Sequence, residues 1–197
     1  HNGEAVKSYA QSLKLGLQLH FIDNPVYLTT GNTLSMVMGL RHCNSETLVL
    51  DGDVLYPQKA LTDYVRNAKL SSFALVPTDI DDEECAKVLL KPSGAIHAFI
   101  TKRALTDDER SGFGFGGEAI GFFMLSKKDV PRFVDLYEKM EEEFRPVLWE
   151  IPFTEFAKTT VLHPWQVTEK GCFEIDTQED YSQALKKFES ESNHYQL

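Results

Sequence analysis

The chain has 197 residues, 42% of them hydrophobic and 25% charged, a balance that suits one globular domain with a proper core. Its net charge of −10 argues against nucleic acid or an anionic membrane surface as partner, because phosphate-rich polymers are bound through an excess of Lys and Arg. No apolar run approaches the roughly 20 residues that span a bilayer, and the opening residues do not read as a signal peptide.

In chain order, residues 3–15 carry Val6, Tyr9, Ala10 and Leu13 at helical spacing, with Gly16 as a stop. Segment 17–22 is predicted as a short apolar strand closed by the turn Asp23-Asn24-Pro25. Residues 33–41 are predicted as a helix with Leu34, Val37, Met38 and Leu40 inward, begun by Thr29-Thr30-Gly31-Asn32. The run LVLDGDVLY, residues 48–56, reads as a buried strand with two carboxylates dropped into its end. A helix over 58–69 and a strand over 72–76 follow. This alternation, with near-continuous apolar strands, predicts α/β architecture: a Rossmann-like, mostly parallel mixed sheet with helices on both faces.

The middle of the chain changes character. Residues 86–90 and 95–101 are predicted as a β-hairpin around Pro92-Ser93-Gly94, residues 106–111 as polar loop, and 118–125 as a further strand. A long acidic helix over 129–144, with Pro131 in its first turn, and a closing helix over 181–190 complete the reading. There is no repeat and no linker, so residues 1–197 are expected to form one domain with a β-rich substrate-binding section. Cys43, Cys85 and Cys172 are odd in number, with no C-x-x-C spacing, and read as reduced, mostly buried thiols of a cytoplasmic protein. The histidines show no paired spacing and receive no role.

The question raised by LVLDGDVLY is what Asp51 and Asp53 are for. In an extended segment, residues i and i+2 share a face about 6.6 Å apart. Two carboxylates at that spacing repel by about 2–3 kcal/mol at an effective dielectric of 20. Ligands bind at the carboxyl ends of strands in such sheets, and Gly52 allows the backbone to come close to one. Two readings stay open: a solvated strand end where Asp forms a turn, or a Mg²⁺ site, since Mg²⁺ takes one or two carboxylates plus substrate phosphates. Residues 171–181, GCFEIDTQEDY, repeat the arrangement, with a short apolar strand, Asp176 at its end and a helix beyond. Thr177-x-x-Asp180 is in addition an ordinary helix start. Two carboxylates from two strand ends could hold one cation between them.

The ordered segments LHFIDNPVYLTTGNTLSM, LVLDGDVLY, GGEAIGFFMLS and FEIDTQEDYSQAL together resemble the nucleotidyltransferases that couple a phosphorylated small molecule to an NTP. The chain is most similar to their phosphocholine cytidylyltransferase-like branch, next to the sugar-1-phosphate nucleotidyltransferases, and the resemblance spans essentially the whole chain. It implies Mg²⁺ as cofactor, with Asp53 as the first metal ligand and Asp176 as the second. It places Gly31, Asn32 and Ser35, with Asp51, at the nucleotide, and Glu118 where the acceptor binds. Lys102, ending AIHAFITK, could reach the acceptor phosphate. Each has a local alternative: Gly31-Asn32 as a plain helix start, Ser35 as a cap, Glu118 as an exposed strand start, Lys102 as a solvated lysine. A carboxylate such as Glu118 and an aromatic such as Trp165 would suit a quaternary ammonium.

Gly112-Phe113-Gly114-Phe115-Gly116-Gly117 lacks the strand before and helix after that a dinucleotide fingerprint requires. It reads as a mobile loop near the substrate pocket, with Phe113 and Phe115 as lid contacts. The family pattern opens with a strand and a Gly-rich loop bearing an Arg and then a Lys, and His1-Asn2-Gly3 aligns with sequence just beyond its second strand. The expectation is therefore a nucleotidyltransferase domain without that segment, inactive alone. The implied reaction joins an NTP, CTP favoured, to phosphocholine or a sugar phosphate with release of pyrophosphate. The competing readings are a metal-dependent glycosyltransferase and a non-catalytic nucleotide-binding or regulatory module.

Overall fold

A computed structural model describes residues 2–168, 171–190 and 195. The helices are α1 (Gly3–Ser12), α2 (Asn32–Leu40), α3 (Gln58–Asn67), α4 (Asp107–Gly112), α5 (Asp129–Lys139), α6 (Glu141–Phe144), α7 (Glu150–Phe156) and α8 (Gln178–Ser190). The strands are β1 (Thr47–Leu50), β2 (Val54–Leu55), β3 (Ser72–Val76), β4 (Lys87–Leu90), β5 (Ile96–Ile100), β6 (Gly114–Leu125), β7 (His163–Gln166) and β8 (Phe173–Glu174).

Six strands form one mixed sheet in the order β5-β4-β6-β3-β7, with β1 also paired to β6. Strands β1, β3 and β4 each run antiparallel to β6, and β7 runs parallel to β3. Four strands therefore share one direction while β5 and β6 oppose them. Side chains of adjacent residues on a strand point to opposite faces, and this builds two cores. Phe73 and Phe123 face α2, α5 and α7 in a cluster with Val37, Phe133 and Phe153. Ala74, Phe122 and Met124 face α3 through Ala60 and Tyr64. The first core is aromatic: Phe73 stacks on Phe123 at 4.7 Å and Phe133 on Phe153 at 4.0 Å, packing that adds roughly 1 kcal/mol per pair to area burial.

Several elements differ from the sequence reading. Residues 17–22 form no strand, because no neighbouring strand satisfies their backbone, and Leu17 stays 68% exposed. LVLDGDVLY is two short strands broken by a turn at Gly52 and Asp53, so the same-face argument for its two aspartates does not hold. The loop expected over 106–111 is α4, started by a capping box in which Thr106 accepts from the Glu109 N–H and Glu109 from the Thr106 N–H. The glycine run is no mobile loop: residues 114–117 are the beginning of β6, Phe115 pairs with Leu89, and Phe113 stacks on His97 at 3.8 Å. The long acidic helix breaks at Met140, where φ is −125° and ψ 27°.

One buried polar knot ties the helix layer to the sheet. Asp129, 2% exposed, accepts from the Ser71 hydroxyl at 2.5 Å, the Ser126 hydroxyl at 2.7 Å and the Arg132 guanidinium at 2.8 Å. These bonds hold its carboxyl below the usual carboxylate range despite the opposing effect of burial.

Candidate functional site

A cleft of about 1280 Å³ opens along the sheet edge where β1, β3 and β7 end. Its floor includes Asp51 after β1, Val76-Pro77 at the end of β3, Val167 after β7, and residues 118–121 of the opposing β6. The site thus lies at the carboxyl ends of the strands, as the sheet type dictates.

Asp51 is fixed by its main chain. Its N–H donates to the Gly121 carbonyl at 2.7 Å, and the Tyr56 hydroxyl lies within 3.2 Å of the Asp51 carbonyl and 3.0 Å of the Gly121 carbonyl. Gly121 sits at φ 71°, and a Cβ there would come 2.5 Å from Asp51 Oδ2. Only glycine fits the backbone conformation and the space together. Burial, then the charge of Asp53, pushes the Asp51 carboxyl up to about 6, opposed by a hydrogen bond from the Trp149 side chain.

Asp53 and Asp176 come from segments that the fold joins directly. β2 and β8 form an antiparallel ladder with Val54 opposite Glu174 and Leu55 opposite Phe173. The next bond beyond it, Ile175 N–H to the Asp53 carbonyl at 2.8 Å, sets Asp176 one residue from Asp53's own partner. Both aspartates are exposed and line the cleft. Glu174 joins them there, its carboxyl pushed upward by burial first and then by Asp176, Asp53, Glu118 and Asp51. An all-oxygen, exposed donor set of this kind fits Mg²⁺, which keeps waters and takes few protein ligands. Among the described residues, no group of three or more His, Cys, Asp or Glu converges to hold a metal unaided, so waters and substrate phosphates would complete the shell.

Glu118 also lines the cleft, opposite Lys87 of β4 and Val76 of β3. Burial raises its carboxyl most strongly, Asp82 adds to this, and a hydrogen bond with Thr78 and the Lys87 charge oppose it. Gly117 before it, at φ 108°, presses so closely on the Val76 carbonyl that a side chain would collide. Lys102 projects from the end of β5 with its backbone in the left-handed region, φ 50°. It is the one lysine or arginine among the described lining residues.

The remaining expected contacts fall in four places. Asn32 lines the cleft, and its Oδ1 accepts the Trp149 N–H at 3.0 Å, so it holds the start of α7. Gly31 does not line it; its N–H donates to the Arg145 carbonyl at 2.9 Å, and a Cβ would strike the Val147 carbonyl. Ser35 lies in a separate hollow of about 500 Å³ between α2 and β1, bonded to Asn24. Trp165 is on the α3 face, edge-on to Tyr64 at 6.1 Å, away from the cleft.

Glu150 has no counterpart in the sequence reading. It begins α7, is 8% exposed and lines the cleft, yet its Oε2 has no hydrogen-bond partner. Burial raises its carboxyl to about 7; a hydrogen bond from its own backbone N–H and the Lys102 charge oppose the rise, while Asp51 and Glu174 add to it. A single Glu at a helix start is ordinary sequence, so nothing in the chain distinguished it. Asp82 and Glu84, in the loop between β3 and β4, line the cleft as well.

No protein-family model matches the sequence, and no curated protein does. Solved structures do match. The chain is similar to the CTP:phosphocholine cytidylyltransferase of Streptococcus pneumoniae, with TM-score 0.65, 15% identity, 93% of this chain covered and 75% of that one. It is similar to the inositol-1-phosphate CTP transferase of T. maritima, with TM-score 0.67, 17% identity and 93% and 72% covered. A UDP-glucose pyrophosphorylase complexed with UDP-glucose matches with TM-score 0.64, 14% identity and 96% and 72% covered. At these identities the likeness speaks for the fold, and this chain has the mixed α/β fold of nucleotidyltransferases such as these.

Proposed function

We propose that this chain is the nucleotidyltransferase domain of an enzyme that joins an NTP to a small phosphorylated acceptor. The observation that carries the reading is the β2–β8 ladder, which seats Asp53 and Asp176 together at the carboxyl edge of the sheet. In the reaction an oxygen of the acceptor's phosphate attacks the α-phosphorus of the NTP. The bond from that phosphorus to the bridging oxygen breaks, and pyrophosphate leaves with the electron pair. No covalent enzyme intermediate is required, so positioning and charge neutralisation supply the rate. Mg²⁺ held by Asp53 and Asp176 would neutralise charge developing on the phosphoryl oxygens.

The chain's own groups take the other tasks. Lys102 binds the acceptor phosphate, and Asn32 and Asp51 contact the nucleotide. Gly31 and Ser35, which do not line the cleft, take no direct part in that contact. Glu118 faces the acceptor. CTP with phosphocholine is the favoured pair, and a sugar phosphate is the alternative acceptor. A triphosphate carries about four negative charges near neutral pH, and a cleft so rich in carboxylates offers it, among the described lining residues, Lys102 alone. The reading therefore includes further basic groups, beyond the described lining residues, before the site turns over; the 197 residues by themselves are expected to release no pyrophosphate.

The test is pyrophosphate release from CTP and phosphocholine by the complete enzyme with Mg²⁺. Asp53→Asn and Asp176→Asn should each lower the rate about 100-fold or more, a loss of roughly 3 kcal/mol in transition-state stabilisation. Near-parental rates in both variants would dispose of the two-aspartate site. Hydrolysis or transfer from a nucleotide-sugar, with no pyrophosphate formed from any NTP, would favour the glycosyltransferase reading.

A further inference from the structure

Cleft carboxylates come from several segments: Asp51 and Asp53 after β1, Glu174 and Asp176 around β8, Asp82 and Glu84 before β4, Glu118 on β6 and Glu150 on α7. Asp53 and Asp176 are accounted for by a divalent cation. The others line a cleft in which Lys102 is the one lysine among the described lining residues. A ligand made only of phosphates and hydroxyls would meet this wall at an electrostatic disadvantage. Among these groups Glu150 is the one nine-tenths buried with an unpartnered oxygen, an arrangement whose desolvation stays uncompensated until something pairs with that oxygen. Among the described residues nothing pairs with that oxygen, and the side chain borders the open cleft.

We propose that Glu150 is the specificity-determining residue of the acceptor subsite, pairing with an ammonium group carried by the phosphorylated acceptor. The inference rests on the nucleotidyltransferase reading for the acceptor's phosphate and on the geometry of α7 for its cation. Lys102 takes the phosphate and Glu150 the ammonium, so one substrate engages both the one described lining lysine and the one buried carboxylate oxygen left without a partner among the described residues. Side-chain bonds to the main chain hold Glu150 in place: Asn32 Oδ1 accepts the Trp149 N–H, and the Thr154 hydroxyl within α7 donates to the Glu150 carbonyl and accepts the Phe99 N–H of β5. An acceptor bearing hydroxyls in place of the ammonium, such as a sugar phosphate, leaves the carboxylate without a counter-charge.

The probes are phosphocholine, choline chloride, glucose-1-phosphate and 3,3-dimethylbutyl phosphate, in which carbon replaces the charged nitrogen. Binding is followed by the emission of Trp149, which adjoins Glu150, and by calorimetry. The unsubstituted protein should bind phosphocholine at least about tenfold more tightly than the neutral isostere, with choline competing. Glu150→Gln should abolish that preference while CTP affinity is unchanged, and Glu150→Asp should restore part of it. Should Glu150→Gln fail to fold, the comparison of phosphocholine with its isostere on the unsubstituted protein still decides. Equal affinity for the two, or a preference unchanged in Glu150→Gln, overturns the inference. If the complete enzyme couples glucose-1-phosphate and rejects phosphocholine, the inference falls and the nucleotidyltransferase reading stands. If phosphocholine binds through Glu150 but no nucleotide binds, the inference stands and that reading falls.

Discussion

Glu150→Gln isolates what it costs the fold to keep a carboxylate in the cleft wall. Burial, Asp51 and Glu174 raise this group from an ordinary 4.5 to about 7. A tenfold change in proton affinity corresponds to about 1.4 kcal/mol, so ionised Glu150 lowers folding stability by about 3 kcal/mol. The sign follows from which state holds the proton. Below pH 4.5 both folded and unfolded chains carry it and the cost is absent. Between 4.5 and 7 the unfolded chain ionises first, so stability falls as pH rises, and above 7 the loss is complete. Gln carries no such charge. In urea unfolding, the stability of Glu150→Gln relative to its parent should rise by about 2–3 kcal/mol from pH 5 to pH 8. Asp51 titrates nearby in both proteins, which is why the difference between them, and not either slope, is the quantity to read. Parallel stability curves across that range would refute the argument that burial of ionised Glu150 costs more than its backbone bond and Lys102 recover.

Gly121→Ala combines a left-handed backbone with a Cβ 2.5 Å from Asp51 Oδ2, and should cost about 1–3 kcal/mol in urea unfolding while displacing Asp51; an unchanged midpoint would show that β6 relaxes there freely. Asp129→Ala leaves the Ser71 and Ser126 hydroxyls without their shared acceptor, and a loss of about 3 kcal/mol is expected. A cost below about 1 kcal/mol would mean that water replaces the carboxylate. Glu118→Gln should weaken the acceptor several-fold by calorimetry and leave CTP affinity alone, and an equal effect on both ligands would remove Glu118 from the acceptor side.

Local sequence was enough for the elements whose signals are local. Strand β3 is apolar from Phe73 to Val76, α2 carries an apolar face at helical spacing, and the β4–β5 hairpin turns at Gly94 with φ 82°. Asp53 and Asp176 stood out because a carboxylate at the end of an apolar strand conflicts with its surroundings, and the β2–β8 pairing brings their segments side by side. The order of motifs also carried the fold, which the solved structures share.

What the sequence left open depended on partners distant along the chain. Segment 17–22 has strand composition, but a strand exists only where another satisfies its backbone, and here none does among the described residues. The glycine run at 114–117 became strand because β4 lies alongside, and Gly116 packs on Leu75 and Leu90. Trp165 was an aromatic of unknown direction until pairing with β3 turned it toward Tyr64 and α3. Glu150 shows the limit most clearly. Its neighbours in space are Asp51, Lys102 and Glu174, each from a different element, and electrostatic environment is a property of distance through space. Residue type and spacing determined which groups could do chemistry; only the tertiary fold decided which of them share a cleft, and with what charge.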